Sequence, residues 1–189
     1  MIKEFGVIDE IVINKTEILT TYQNMDSLIK KAIEILYSDN WDNYNPFENI
    51  IIFENVEESL INKDCRKKID KESNKCELSG KTGVYVFINE NLPIYIGLGG
   101  IGKNDNLRTR LNAEVKTTAT HNNATLSKNI QDIDAVLLNR EISAEESLNK
   151  IKNSKIIVFV VGDMTDENKD KTKMLEMALI ALFKPRYNK

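Results

Sequence analysis

The sequence predicts an α+β fold: a small, mostly antiparallel three-stranded sheet flanked by helices, with an appended N-terminal α/β subdomain. Three observations carry that expectation. Two short β-rich runs, GVYVFI at 83–88 and IYIG at 94–97, enclose NENLP, and such a pair around an Asn-containing turn marks a hairpin. KIIVFVVGD at 155–163 is apolar enough to lie centrally in a sheet. The last periodic segment, about 167–183, has Asp166 and Glu167 in its first turn and is stopped by Pro185, as a helix should be.

In chain order, the first element expected is a strand at 5–13 (FGVIDEIVI). A helix over 26–37 follows, with Asp26 near the N-cap and Leu28, Ala32, Ile35 and Leu36 on one face. The apolar run IIIF occupies 50–53. Residues 62–79 (NKDCRKKIDKESNKCELS) are highly charged with little to bury, so they read as a connection or an exposed helix. Residues 1–79 are thus an N-terminal extension or subdomain, and residues 80–189 a second unit. That unit opens with the hairpin and a helix over 106–116 (around LRTRLNAEV). The polar segment TTATHNNATLSKN follows, which no pattern organises, and then weaker helical stretches near 125–138 and 143–153. The order is β–β–α–insert–β–α, with the insertion at about 119–153 and no internal repeat.

Composition narrows the function classes. Of 189 residues, 41% are hydrophobic and 29% charged, which suits a globular domain with a true core. No apolar run reaches bilayer length and MIKEFGVIDE lacks a signal-peptide pattern. Cys65 and Cys76 stand in a charged stretch with no second pair, so they make neither a zinc ribbon nor a secreted scaffold. The expectation is a cytoplasmic protein. The net charge of −3 is unevenly spread: 10 basic and 16 acidic residues precede position 80, against 16 and 13 after it. The basic excess lies in the half that holds the motifs below, where a phosphate-binding surface would need it.

Those motifs come in four pieces. Gly83-Val84-Tyr85 is followed by Tyr95-Ile96-Gly97, then by Leu107-x-x-Arg110-Leu111, then by Glu176 with Phe183-Lys184-Pro185-x-Tyr187-Asn188. Their order and the elements between them resemble the GIY-YIG nuclease family, with Val84 in place of the first Ile; the resemblance covers 83–188. It implies a metal-dependent DNA endonuclease acting on double-stranded or branched DNA, with Mg²⁺ (or Mn²⁺) as cofactor and Glu176 as its ligand. It further implies that Tyr85 takes or orients the proton of the attacking water, that Tyr95 supports it, and that Asn188 ties the edge of the site by hydrogen bonds. His121, the one histidine, fits either a catalytic assistant or a solvated loop residue. A module that keeps the fold but binds nucleic acid without cutting is the alternative.

The residues add their own argument. MLEMALIALF at 174–183 is apolar apart from Glu176. A helix apolar on all sides is buried, and a buried carboxylate needs a compensating partner. Otherwise Glu176 stands at the edge of the buried stripe and reaches solvent. A phenol with a pKa near ~10 is a poor base at neutral pH unless a cation lowers it; Arg110 or a metal on Glu176 is the cation available. Arg110 leaves its helix beside the sheet-facing side, whereas Arg108 points elsewhere, and a guanidinium can stabilise the non-bridging oxygens of a phosphate. Tyr85, Tyr95, Arg110 and Glu176 are expected to line one concave surface, made positive by Arg110 with Lys103, Lys116 and Lys184.

Two other patterns are weaker. Gly97-Leu98-Gly99-Gly100-Ile101-Gly102 fits a dinucleotide loop, and Gly97 through Lys103 the start of a P-loop, but Asn104 stands where a P-loop needs Ser or Thr. The strand before them is the second arm of a hairpin, not part of a βαβ unit. The glycines read better as a turn after Tyr95 that lets backbone approach a phosphate.

Overall fold

The computed structural model describes residues 27–35, 46–54, 78, 80–103, 105–115 and 125–188. In chain order the elements are α1 (27–35), β1 (Asn49–Phe53), β2 (Lys81–Asn89), β3 (Leu92–Gly99), α2 (Leu107–Glu114), α3 (Thr125–Leu138), α4 (Ala144–Lys152), β4 (Lys155–Asp163) and α5 (Asp166–Phe183). The fold is α+β. The expected strand at 5–13, most of the 62–79 connection and His121 lie outside the described residues.

Among the described residues the sheet has four strands in the order β1-β4-β2-β3, every pair antiparallel. This corrects the expected three: the apolar run at 50–53 becomes β1 and pairs with β4, Ile51 opposite Val158. The described part of the N-terminal region is therefore built into the same sheet. The two central strands read as continuous apolar runs because both of their faces are covered. Alternation then sorts their side chains. Tyr85 and Phe87 join Ile156, Val158 and Val160 on one face, under Leu107, Leu111 and Val115 of α2 and its end, Leu126 and Ile130 of α3, and Ile151 of α4. Val84, Val86 and Ile88 join Ile157 and Phe159 on the other, under Leu28, Ala32 and Ile35 of α1 and Leu175 and Leu179 of α5.

Local signals set the boundaries. Glu90 and Asn91 turn the hairpin with φ of 50° and 64°, the paired left-handed residues that a tight two-residue turn requires. Asn106 and Ser143 start α2 and α4 with reciprocal capping boxes to Thr109 and Glu146. Thr165 caps α5, whose first turn carries Asp166 and Glu167.

One expectation fails on α5. Met174, Met177 and Leu182 are 47%, 68% and 59% exposed, so the helix is not buried all round. It covers one face of the sheet with Thr172, Leu175 and Leu179 and presents apolar residues outward.

The helices at 125–138 and 144–152 are not a peripheral addition to the core. Asp134 of α3 is fully buried and accepts hydrogen bonds from Lys150 of α4, from Arg186 at 2.9 Å and from the Tyr187 hydroxyl at 3.2 Å. Asn129 of α3 donates to the Tyr187 carbonyl at 2.8 Å. These bonds anchor the segment after α5, which then runs along the free edge of β3: Tyr187 N–H donates to the Ile94 carbonyl at 3.0 Å.

Candidate functional site

The motif glycines explain how the site is assembled. Tyr85 on β2 faces Gly97 on β3, and a Cβ at 97 would stand 2.6 Å from the Tyr85 ring. A Cβ at Gly99 would lie 2.7 Å from the Leu107 Cα and 3.0 Å from the Arg110 Cβ. Gly97 makes room for a buried phenol, and Gly99 lets α2 approach the strand. Both lie inside β3 and not in a turn after Tyr95, which corrects the reading of the glycine run; the turn falls at Gly100, with φ of 82°. Gly97→Ala should therefore cost about 3 kcal/mol in chemical denaturation, the upper part of the overpacking range, because Tyr85 has no exposed surface into which to retreat. A loss below roughly 0.5 kcal/mol would show that the ring yields.

The phenols meet a residue that the sequence analysis did not single out. Glu114, at the end of α2, is completely buried. Its Oε1 accepts from the Tyr85 hydroxyl at 3.2 Å, the Tyr95 hydroxyl at 3.5 Å and Arg110 Nη2 at 2.9 Å. Its Oε2 accepts from the Leu126 N–H at 2.9 Å, a first-turn donor at the positive end of α3. Arg110 Nη2 also donates to Thr125 Oγ1 at 2.8 Å. The segment expected to be an insertion thus contributes to the site. Spacing was the available signal: Glu114 follows Leu107 and Leu111 on the sheet-facing stripe of α2, where a carboxylate is costly unless paired.

The electrostatics differ from expectation. Burial, with the charge of Glu114 behind it, pushes the Tyr85 phenol well up; Tyr95 shifts up for the same reasons, and Arg110 opposes both without prevailing. The phenols are thus weaker acids than usual, not stronger. Burial also raises Glu114, against the pull of the Leu126 N–H and Arg110. For Arg110, burial favours loss of charge, but the Tyr85 phenol and Glu114 outweigh it and the guanidinium stays a cation. Its side chain keeps 26% of its surface exposed.

Glu176 stands on another element. It rises from α5, on the face of the sheet opposite the tyrosines, so the four side chains do not share one face. β3 is the edge strand between the two sides. The Thr172 hydroxyl, one turn earlier on α5, meets Thr82 Oγ1 at 3.1 Å, and Thr82 in turn donates to the Gly99 carbonyl at 2.9 Å. Glu176 is half-buried, and burial pushes its carboxyl up to about 7, opposed by the charge of Arg110. It acts in turn on the Tyr95 phenol. Asn188 grips the same strand from outside: its Oδ1 accepts from Ile96 N–H at 2.9 Å and its Nδ2 donates to the Ile96 carbonyl at 2.6 Å.

Among the described residues no three His, Cys, Asp or Glu side chains group to cage a metal, and no helix is long and apolar enough to cross a membrane. One desolvated carboxylate suits a magnesium ion nonetheless, since that ion is usually held by one or two carboxylates with waters and phosphate oxygens. No family model, curated protein or solved structure matches the chain.

Proposed function

We propose that the chain is a metal-dependent DNA endonuclease of the GIY-YIG type, hydrolysing phosphodiester bonds. The supporting observation is the convergence of Tyr85, Tyr95 and Arg110 on the buried Glu114. Arg110, cationic and partly exposed, takes a non-bridging oxygen of the scissile phosphate, where charge develops in the transition state. Glu176 would hold Mg²⁺ or Mn²⁺, which supplies charge neutralisation at the leaving oxygen. Tyr95, the less buried phenol, orients the attacking water. It need not become a phenolate: as it takes the water's proton it passes its own to Glu114. The roles that the resemblance implies are thus exchanged: Tyr85, fully enclosed, holds Glu114 in position. Asn188 fixes the strand that carries Tyr95.

One observation favours a second reading, a nucleic-acid-binding module that does not cut: Tyr85 has no exposed surface. Supercoiled plasmid separates the two. Nicked and linear products in Mg²⁺ or Mn²⁺, and none with a chelator, are the expected result. Binding without products in either metal would favour the second reading, and no binding at low salt would sink both.

A further inference from the structure

A groove of about 570 Å³ lies at the turn end of the hairpin, walled by the turn itself, the end of α5 and the segment after it, and Lys150 of α4. We propose that this groove is a second phosphate subsite, gripping the backbone of the same duplex away from the bond that is cut; it rests on the nuclease reading above. Lys150, Lys184 and Arg186 bring three cations to it, against Glu90 on its rim and Asp134 beneath, so an excess of positive charge remains.

Two of the cations are held in place before any ligand arrives. Lys150 and Arg186 both bond Asp134, which is fully buried, and both lie against the Tyr187 ring, at 5.8 and 5.6 Å from its centroid. One guanidinium nitrogen serves Asp134, which leaves others of its five N–H donors for an oxyanion. Lys184 follows α5 in a left-handed conformation with φ of 46°, which a non-glycine residue adopts at a cost, and among the described residues it has no acidic partner. Two cations held in place, beside a lysine with no acidic partner among the described residues, fit a phosphate better than a neutral ligand.

The placement along β3 gives the spacing. Gly99 packs against Arg110, while Leu92, Pro93 and Ile94 line the groove. Six residues of strand span about 20 Å, which a B-form duplex covers in about six base-pair steps. Both subsites therefore fall within one face of a short duplex.

The test is the binding of a duplex of about 20 base pairs, without divalent ion, at salt from about 50 to 200 mM. In Lys184→Gln/Arg186→Gln the slope of log affinity against log salt should become less steep by about 2, with binding at least about tenfold weaker near 100 mM. The charge-preserving Lys184→Arg/Arg186→Lys should keep the parent slope. An unchanged slope in the glutamine pair, or equal loss in both pairs, overturns the subsite. If the parent binds and cuts while the glutamine pair keeps its slope, only the subsite falls. If the parent does not bind the duplex at all, the nuclease reading falls with it.

Discussion

Glu176→Gln is expected to cut DNA about a thousandfold more slowly than the parent while binding it at least as well. The exchange keeps shape and removes the carboxylate proposed to hold the cation, and a bound metal would contribute several kcal/mol to the transition state. A negative charge facing phosphate also disappears. Stability gives an independent reading. Burial lifts the carboxyl from its ordinary 4.5 to about 7, so its folded-state pKa is raised. The stability that goes with the protonated form is present at acid pH and lost as pH climbs from about 4.5 through about 7. The glutamine variant does not lose it. Its stability should exceed the parent's by about 1–2 kcal/mol more at pH 8 than at pH 5, the half-exposed setting reducing the full effect. Cutting by the parent should rise with pH through about 7, and the midpoint should fall as Mg²⁺ is raised, because cation and proton compete for one carboxylate. A midpoint indifferent to Mg²⁺, or an active glutamine variant, would remove the metal from Glu176.

Arg110→Ala should abolish cutting and weaken DNA binding by about tenfold, the loss of one charge-assisted phosphate contact. It should also destabilise the fold by about 3 kcal/mol, because Glu114 keeps its burial and loses its cation. That second effect confuses the first unless it is reversed. Arg110→Ala/Glu114→Gln removes the stranded charge and should recover most of the stability. Because Glu114→Gln also removes the acceptor of the Tyr95 proton, the double variant's cutting is compared with that of Glu114→Gln alone and should fall well below it. Arg108→Ala is the control and should change cutting little. If the double variant cuts as well as Glu114→Gln alone, the arginine serves only the fold, and the phosphate must be met by another cation.

The residues behind these two expected results differ widely in legibility. Tyr85, Tyr95, Arg110 and Asn188 are legible as candidates because the motif order singles them out, and the structure brings the two phenols and Arg110 to Glu114. The hairpin, the strand at 155–163 and the helices near 125–138 and 143–153 are equally local, and the structure has them within a few residues. What escaped depends on contacts distant in sequence. The run at 50–53 had no visible partner, because β4 lies about a hundred residues away. Glu114 belongs to none of the motifs, and nothing local says that α3 closes over it. The apolar helix α5 was expected to be enclosed, but hydrophobicity alone does not reveal which side a neighbour covers. The glycines looked like a turn because a strand glycine announces itself only when the ring opposite is known.

The segment after α5 has a consequence for how the molecule keeps to itself. An edge strand offers unpaired backbone groups to any other extended chain, and sheets left open in that way invite aggregation. Here Tyr187 and the Asn188 side chain occupy the Ile94 carbonyl and both polar groups of Ile96. The asparagine acts as a two-pronged plug, imitating a neighbouring strand with an amide that cannot propagate one. The stretch of β3 that carries Tyr95 is thereby closed to strand addition.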